Sequence, residues 1–342
     1  PVPATISPPS VHFVYQEWPS LFIERLWYAT DLGNKELITE TSTNIWEPTI
    51  AVDSKNVPHV SSYNLFNIYY STRTTAGWKT TALPFPNPGA EAARKPVMVV
   101  DSQDTPRIFY LYDSIPAANP SVYVASPATN GNCGGGLLNC VAVVTIPGKQ
   151  AVWDFHFLSV AVDPIGNFHV VFNNNDVTEY ALLDSTLTVK HQGTIMKHTD
   201  NRYASKLQTL RVSAPDGIPM ITFVDSNATL YFATPGQASE GCEQGWQCIL
   251  VDDSVYEAVN FGQIVVFTRN YLEGDGGLWH PWTALKVANG FSPCSNGSPC
   301  HDVMNLSRNK TVPIHSLSVA AGGSGLHVAS VDQYMSVPMR KV

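Results

Sequence analysis

Charge is scarce in this chain. Asp, Glu, Lys and Arg together make up 14% of its 342 residues, where a globular domain usually has about a quarter. Such a low share excludes a disordered segment, a coiled coil and a heptad bundle, which all depend on dense charge. What charge there is leans acidic, with 28 Asp and Glu against 20 Lys and Arg and a formal net charge of −8. A protein that grips phosphates carries the opposite balance, so nucleic acid is not an expected partner. Long apolar runs are missing too. The longest, 141–147 and 264–267, are much shorter than a bilayer requires, so no membrane insertion is expected. The chain also lacks a basic stretch followed by an apolar one at its start, phosphate-binding glycine loops, a His-Glu-x-x-His helix, an EF-hand loop and a Gly-x-Ser-x-Gly elbow. No long helical period appears.

What is present points to turns and short strands. Apolar residues make up 44%, and 23 Gly and 25 Pro are spread along the chain. That is enough for a core, divided by frequent breaks. The six cysteines form three close pairs, Cys133/Cys140, Cys242/Cys248 and Cys294/Cys300, each bracketing a loop rich in small polar residues. Zinc sites use Cys-x-x-Cys spacing or interspersed His, which these pairs lack. Three short-range disulfides, and with them a secreted or periplasmic location, are expected. Four Asn-x-Ser/Thr sequons, at Asn227, Asn296, Asn305 and Asn309, are compatible with secretion.

One pattern recurs. An apolar strand ends in Asp, a polar turn follows, and six residues later His or Arg opens a second apolar strand. Asp53 with His59, Asp101 with Arg107 and Asp163 with His169 are the clear copies. Degenerate copies begin at Leu210 and Leu317, a shorter one at Val255, and Val11-His12 resembles the second strand of another. A Tyr-rich strand and then a fourth strand follow each clear copy. Four short strands per unit, repeating near every 50 residues, predict an all-β fold: a β-propeller with four-stranded antiparallel blades. Seven units are counted, from about residues 3, 46, 94, 154, 206, 255 and 314, with six blades as the alternative. The whole chain, 1–342, is expected to be a single domain whose N- and C-terminal segments close the ring.

This geometry sorts the polar residues. His12, His59, His169 and His327 repeat at one position beside the turn between first and second strands, which argues for packing. The opposite face carries the loops that lead into innermost strands and those that join second strands to third. There the sequence places His156, His198, His280 and His315, with Arg94 and the strand ends Tyr63, Asn64, Tyr112, Asp113, Asn174, Asp225 and Arg269. Amides, carboxylates and cations form planar forks for sugar hydroxyls, and Tyr rings offer faces to sugar C–H surfaces.

In these strand–turn–strand units the chain resembles secreted bacterial propellers of the sialidase, propeller polysaccharide-lyase and lectin type. The sialidase Asp-box, Ser-x-Asp-x-Gly-x-Thr-Trp, does not occur. The run 48–70 is more similar to the lyases, whose units place His before the first strand and after the second; here those positions hold Trp46-Glu47 and Tyr63-Asn64. The Tyr-, Asn- and Asp-rich strand ends, with no catalytic constellation required, suit a lectin-like carbohydrate binder using the loop face. The alternatives are three. One is a polysaccharide lyase or glycosidase with His156, Tyr112 and Arg94 as its catalytic set. Another is a copper or zinc protein using His156, His198, His280 and His315, with a metal ion as the only cofactor considered. The last is a protein-interaction scaffold, since fold does not fix function.

Overall fold

A computed structural model describes residues 11–20, 23–30, 33–42, 45–64, 67–83, 92–113, 121–145, 157–174, 177–197, 209–225, 227–239, 242–253, 255–275, 278–293, 299–309, 314–322, 325–332 and 340–341; beyond residue 268 the description is of backbone, Ala288 excepted. Among these residues there is no α-helix, only one short 3-10 turn, Gly134–Gly136. Every strand belongs to one of seven antiparallel sheets, numbered here along the chain. Sheets 2 to 6, spanning 46–83, 92–145, 158–197, 209–252 and 255–309, have four strands in chain order. Sheet 1 (12–41) and sheet 7 (314–341) have three. The expected unit starts at 46, 94, 154, 206, 255 and 314 meet strands starting at 46, 92, 158, 209, 255 and 314.

Consecutive sheets stack through their first strands, each packing on the first strand of the next. This is the arrangement of a β-propeller. Alternation along a strand explains it, since successive side chains leave on opposite faces. In the strand Pro106–Asp113, Ile108, Tyr110 and Tyr112 join a core shared with sheet 2, while Phe109 and Leu111 join one shared with sheet 4. Further cores lie between sheets 1 and 2, 4 and 5, and 5 and 6. Phe109 and Phe168 are wholly buried with ring centroids 5.2 Å apart, and each such ring contributes about 2–3 kcal/mol by its burial. Side chains also tie the first strands together. Thr49 Oγ1 accepts the Met98 N–H, Ser159 Oγ that of Val212, and Ser213 Oγ that of Gly262.

The recurrent Asp is explained by its turn. Asp53, Asp101 and Asp163 each accept, through Oδ1, the N–H groups two and four residues on. The backbone N–H of each bonds to the carbonyl four residues later. The residue three positions on has positive φ: Asn56 (63°), Asp104 (59°) and Gly166 (89°). That is a type I turn closed by a left-handed residue, and an Asp side chain is well suited to open it. Asp184 and Asp225 build the same turn elsewhere, with Leu187 and Ala228 taking the left-handed place.

Two disulfides are formed, Cys133–Cys140 and Cys242–Cys248, each between the third and fourth strands of its sheet. The third pair lies outside the described residues, because Cys294 does. Polar side chains support both loops: the Asn132 amide bonds both backbone groups of Cys140, and Ser239 Oγ both those of Cys248. The second loop also reaches over to sheet 4, where Glu243 N–H bonds to the Ile195 carbonyl and Cys242 bridges to Met196 on the outermost strand. Replacing both Cys133 and Cys140 by Ala is expected to cost about 2 kcal/mol of stability, given the short loop they close. Urea titration of the variant under non-reducing conditions checks this, and an unchanged midpoint would refute a stapling role.

Candidate functional site

The first strands of sheets 2, 3 and 4 each end in an Asp turn, so the molecule has two unlike ends. At one end lie the turns of Asp53, Asp101 and Asp163, and here polar groups pair from one sheet to the next. Asp104 accepts the backbone N–H and hydroxyl of Ser54 from the neighbouring turn, and His12 Nε2 bonds the Asn56 side chain at 2.9 Å. Three of the four repeated histidines have described side chains, and each is hydrogen-bonded. His12, His59 and His169 each place Nδ1 on a Tyr hydroxyl of the adjacent strand: Tyr28 at 2.7 Å, Tyr70 at 2.8 Å and Tyr180 at 2.9 Å. In sheet 4 the other ring nitrogen faces Asp163 Oδ2 at 3.4 Å, and in sheet 2 it stands 3.6 Å from Asp53 Oδ2. In His169, with Nε2–H turned to Asp163, Nδ1 accepts the Tyr180 O–H proton; His59 Nε2 stands too far from Asp53 for a hydrogen bond. Burial lowers the pKa of His59 and His169 in spite of these carboxylates. It raises Tyr180 and pushes Tyr70 up to about 12. Burial alone would raise Asp163, but hydrogen bonds from Asn167 and His169 outweigh it and hold the carboxyl low. In His12, His59 and His169 these are structural contacts at the turn end, the packing role that repetition of the His position suggested.

The opposite end is here called the mouth. Backbone register places Trp46, Arg94, Thr209 and His315 at one level of successive first strands, opposite Tyr63, Leu111, Val224 and Val331, with Val255 and its partner Arg269 one position further out. Phe157 holds the same level in sheet 4, its carbonyl accepting the Asn173 N–H at 3.0 Å. Four of these strands are bulged just past this level, between 46 and 49, 94 and 97, 255 and 257, and 315 and 317. Bulges re-aim side chains and concentrate near functional sites.

Two bulges carry the most informative geometry. Glu47 (φ 44°) and Lys95 (φ 56°) both adopt left-handed backbone. Each precedes a proline, Pro48 or Pro96. A non-glycine residue there costs roughly 1–3 kcal/mol, and a following proline narrows its options further. The two side chains meet as an ion pair across the boundary of sheets 2 and 3. Lys95 Nζ also stands 5.2 Å from the Phe157 ring centroid, so three sheets converge on one ammonium. The Lys95 side chain is 17% exposed and that of Glu47 is 43% exposed, which leaves the carboxylate as the open end of the pair. Beside them Trp46 and Tyr63 pack with centroids 5.5 Å apart. The arrangement offers a carboxylate acceptor, an ammonium donor and aromatic faces in one place.

The sequence-selected residues fall around this mouth in different ways. Asn64 is a turn former: its side-chain oxygen accepts the Asn67 N–H and its amide donates to Tyr69. Asp225 likewise accepts the N–H groups of Asn227 and Thr229. Tyr112 is 4% exposed and packs against Tyr123 at 5.1 Å. Arg94, Asp113, Asn174, Arg269, His280 and His315 are placed by backbone alone, and His156 and His198 lie outside the described residues. His280, read from sequence as part of a loop, instead stands in the strand Leu278–Pro293 opposite Glu273. The strands Ile264–Asp275 and Leu278–Pro293 pair there as far as Asp275 and Leu278. Among the described side chains no three His, Cys, Asp or Glu come together as a metal site, and no described helix is long and apolar enough to cross a membrane. Sequence reasoning missed the pairing of Glu47 and Lys95, for which the Glu-Pro and Lys-Pro steps at equivalent positions were the available signal.

The fold is that of a β-propeller. No protein-family profile matches the chain, and no curated protein does. Among solved structures it is similar to an ulvan lyase of polysaccharide lyase family PL25 bound to -[GlcA(1-4)Rha3S]-, with 8% identity, 94% of this chain and 90% of that one covered, and a TM-score of 0.53. It is similar as well to the polysaccharide lyase Uly1, with 12% identity, coverage of 97% and 86%, and a TM-score of 0.50. An arabinanase of Bacillus subtilis overlaps 75% of this chain and 99% of its own at 12% identity, with a TM-score of 0.40. The resemblance to propellers that act on polysaccharides therefore holds at the level of architecture.

Proposed function

We propose that this chain is a secreted carbohydrate-binding propeller, with seven blades and a third disulfide between Cys294 and Cys300, that takes a glycan at its mouth. The observation that carries this reading is the Glu47–Lys95 pair, held on two left-handed pre-proline bulges beside Trp46, Tyr63 and Phe157. Strained backbone that aims opposite charges at an open end, beside stacked rings, is costly to keep unless the site is used. Charged forks with aromatic faces suit polyhydroxylated ligands. The likeness to polysaccharide lyases supports a glycan ligand in preference to a protein partner.

A second reading is a polysaccharide-degrading enzyme. It is favoured by the same pair, because a carboxylate beside an ammonium is able to move a proton. One experiment separates the readings: native gels cast with neutral or uronate polysaccharides. Retarded migration with the polymer intact is the expected result. Zones of cleared polymer would make the chain an enzyme, and unaltered migration on every polymer would remove both readings.

A further inference from the structure

We propose that the mouth selects uncharged glycans over uronate-bearing ones, and that Glu47 sets this selection. The inference rests on the glycan-binding reading and names the ligand class for it. Glu47, Lys95 and Phe157 hold one position in three successive sheets, each six residues before the Asp that opens its sheet's turn, Asp53, Asp101 or Asp163. Their side chains meet in that order around the mouth. The Glu47 carboxylate sits on the Lys95 ammonium, and that ammonium stands 5.2 Å from the Phe157 centroid. Lys95 is thus neutralised on one side and covered by a ring on another. Of the pair, the carboxylate is the more open to solvent. An arriving ligand therefore meets an acceptor first and a donor behind it. A sugar hydroxyl answers both, because it donates one hydrogen bond and accepts another. A uronate carboxylate only accepts. It reaches Lys95 only by standing against Glu47, and like charges brought together in an interface weaken binding.

The charge around this pair points the same way. Consider the residues within two positions of the mouth level, on or next to the first and second strands of sheets 2 to 7. The charged groups with described side chains are Glu47, Asp225, Asp253 and Glu257 against Lys95 and Arg211. Those placed by backbone alone balance, with Asp113 and Asp332 against Arg94 and Arg269. Carboxylates are thus in excess, and the Lys95 ammonium already has its counter-charge. Arg211 Nη1 is turned to the Leu210 carbonyl at 2.9 Å. The formal charge of the whole chain, −8, has the same sign. Such a field repels a polyanion before contact is made. Trp46 and Tyr63, half-buried and packed together beside the pair, offer ring faces that suit the uncharged C–H surfaces of a sugar.

The test pairs each polymer with its own uncharged form. Polygalacturonate, alginate and a glucuronan are reduced at their carboxyl groups, which keeps the linkages and removes the charge. Parent and reduced polymers are cast into native gels, and the whole chain is run through both. The reduced form is expected to bind at least about 10-fold more tightly than its parent. Added salt should weaken that preference by screening. Glu47→Gln should narrow or invert it, because Lys95 is then left without its counter-charge; an unchanged melting midpoint verifies that the variant is folded. Tighter binding of the parent polymers by the native chain would overturn the proposal and transfer the selection to Arg94 or Arg269. Equal binding of the two forms, or an unchanged preference in Glu47→Gln, would remove Glu47 as the selecting residue while the glycan reading stands. Failure of every form to retard the protein would remove that reading itself, and the selection with it.

Discussion

Replacing His169 by Met is expected to destabilise the protein by about 3 kcal/mol, because it leaves the Tyr180 hydroxyl buried without its acceptor and removes one partner of Asp163. Changing Tyr180 to Phe in the same chain should recover most of the loss. Sheet 5 provides the precedent within this molecule, since Met220 and Phe232 stand at the His and Tyr registers and are both buried. Sheet 3 has a third solution, with Arg107 on Asp101 Oδ2 at 3.0 Å and on Ser126. Denaturant titration of the two single variants and the double variant checks the prediction. Simple additivity of the two losses would show that the relay is not a unit. The relays also set the pH range of stability. Below about pH 6.5 the unfolded chain protonates His59 and His169 while the folded chain resists, so stability falls as the pH drops through that value. The lowered Asp163 acts in the same direction further down, around and below its ordinary value of 3.8. At the alkaline end the unfolded chain ionises Tyr near pH 10, whereas Tyr70 keeps its proton to about 12, so stability declines again above pH 10. A plateau between these limits is expected in melting scans; constant stability down to pH 5 would contradict it.

The second large effect concerns the mouth. Lys95→Met and Glu47→Gln should each weaken glycan binding about 10-fold or more, the loss expected when one charge-assisted contact worth roughly 1.4 kcal/mol disappears. Neither change should alter stability by more than about 0.5–1 kcal/mol, because the carboxylate is open to solvent and such pairs contribute little. Affinity electrophoresis gives the dissociation constant and thermal melting gives the stability. Wild-type retardation by both variants would displace the site from this pair. If either variant instead kept its binding but stopped clearing polymer, the pair would have to be a proton carrier in an enzyme.

Much of the architecture was legible in the amino-acid sequence because one turn repeats. Asp53, Asp101 and Asp163 open turns of the same local chemistry, and the six-residue step to His or Arg reports their fixed length. Local hydrogen bonding dictates that feature, so sequence carries it directly. The position of His59 and His169 was legible for the same reason, but their Tyr partners were not, since Tyr70 and Tyr180 are chosen by register across a strand pair. The site was harder to read. Asn64 and Asp225 have the composition of a sugar-binding site yet their side chains serve their own turns. Glu47 and Lys95 meet across a sheet boundary, 48 positions apart; the Glu-Pro and Lys-Pro steps mark the two positions but do not say that they are partners. His280 misled because the glycines before it read as a loop, whereas it stands in a strand paired with Ile264–Asp275.

The loop closed by Cys242 and Cys248 has one more consequence. Its backbone is hydrogen-bonded along the outermost strand of sheet 4, which would otherwise present open N–H and C=O groups to solvent. The disulfide therefore acts as a guard against self-association as well as a local staple. In a reducing environment the loop is free to lift away, and the strand it covers becomes a template for another chain. Aggregation starting at this rim is the failure expected on reduction, and light scattering with and without a reductant checks it.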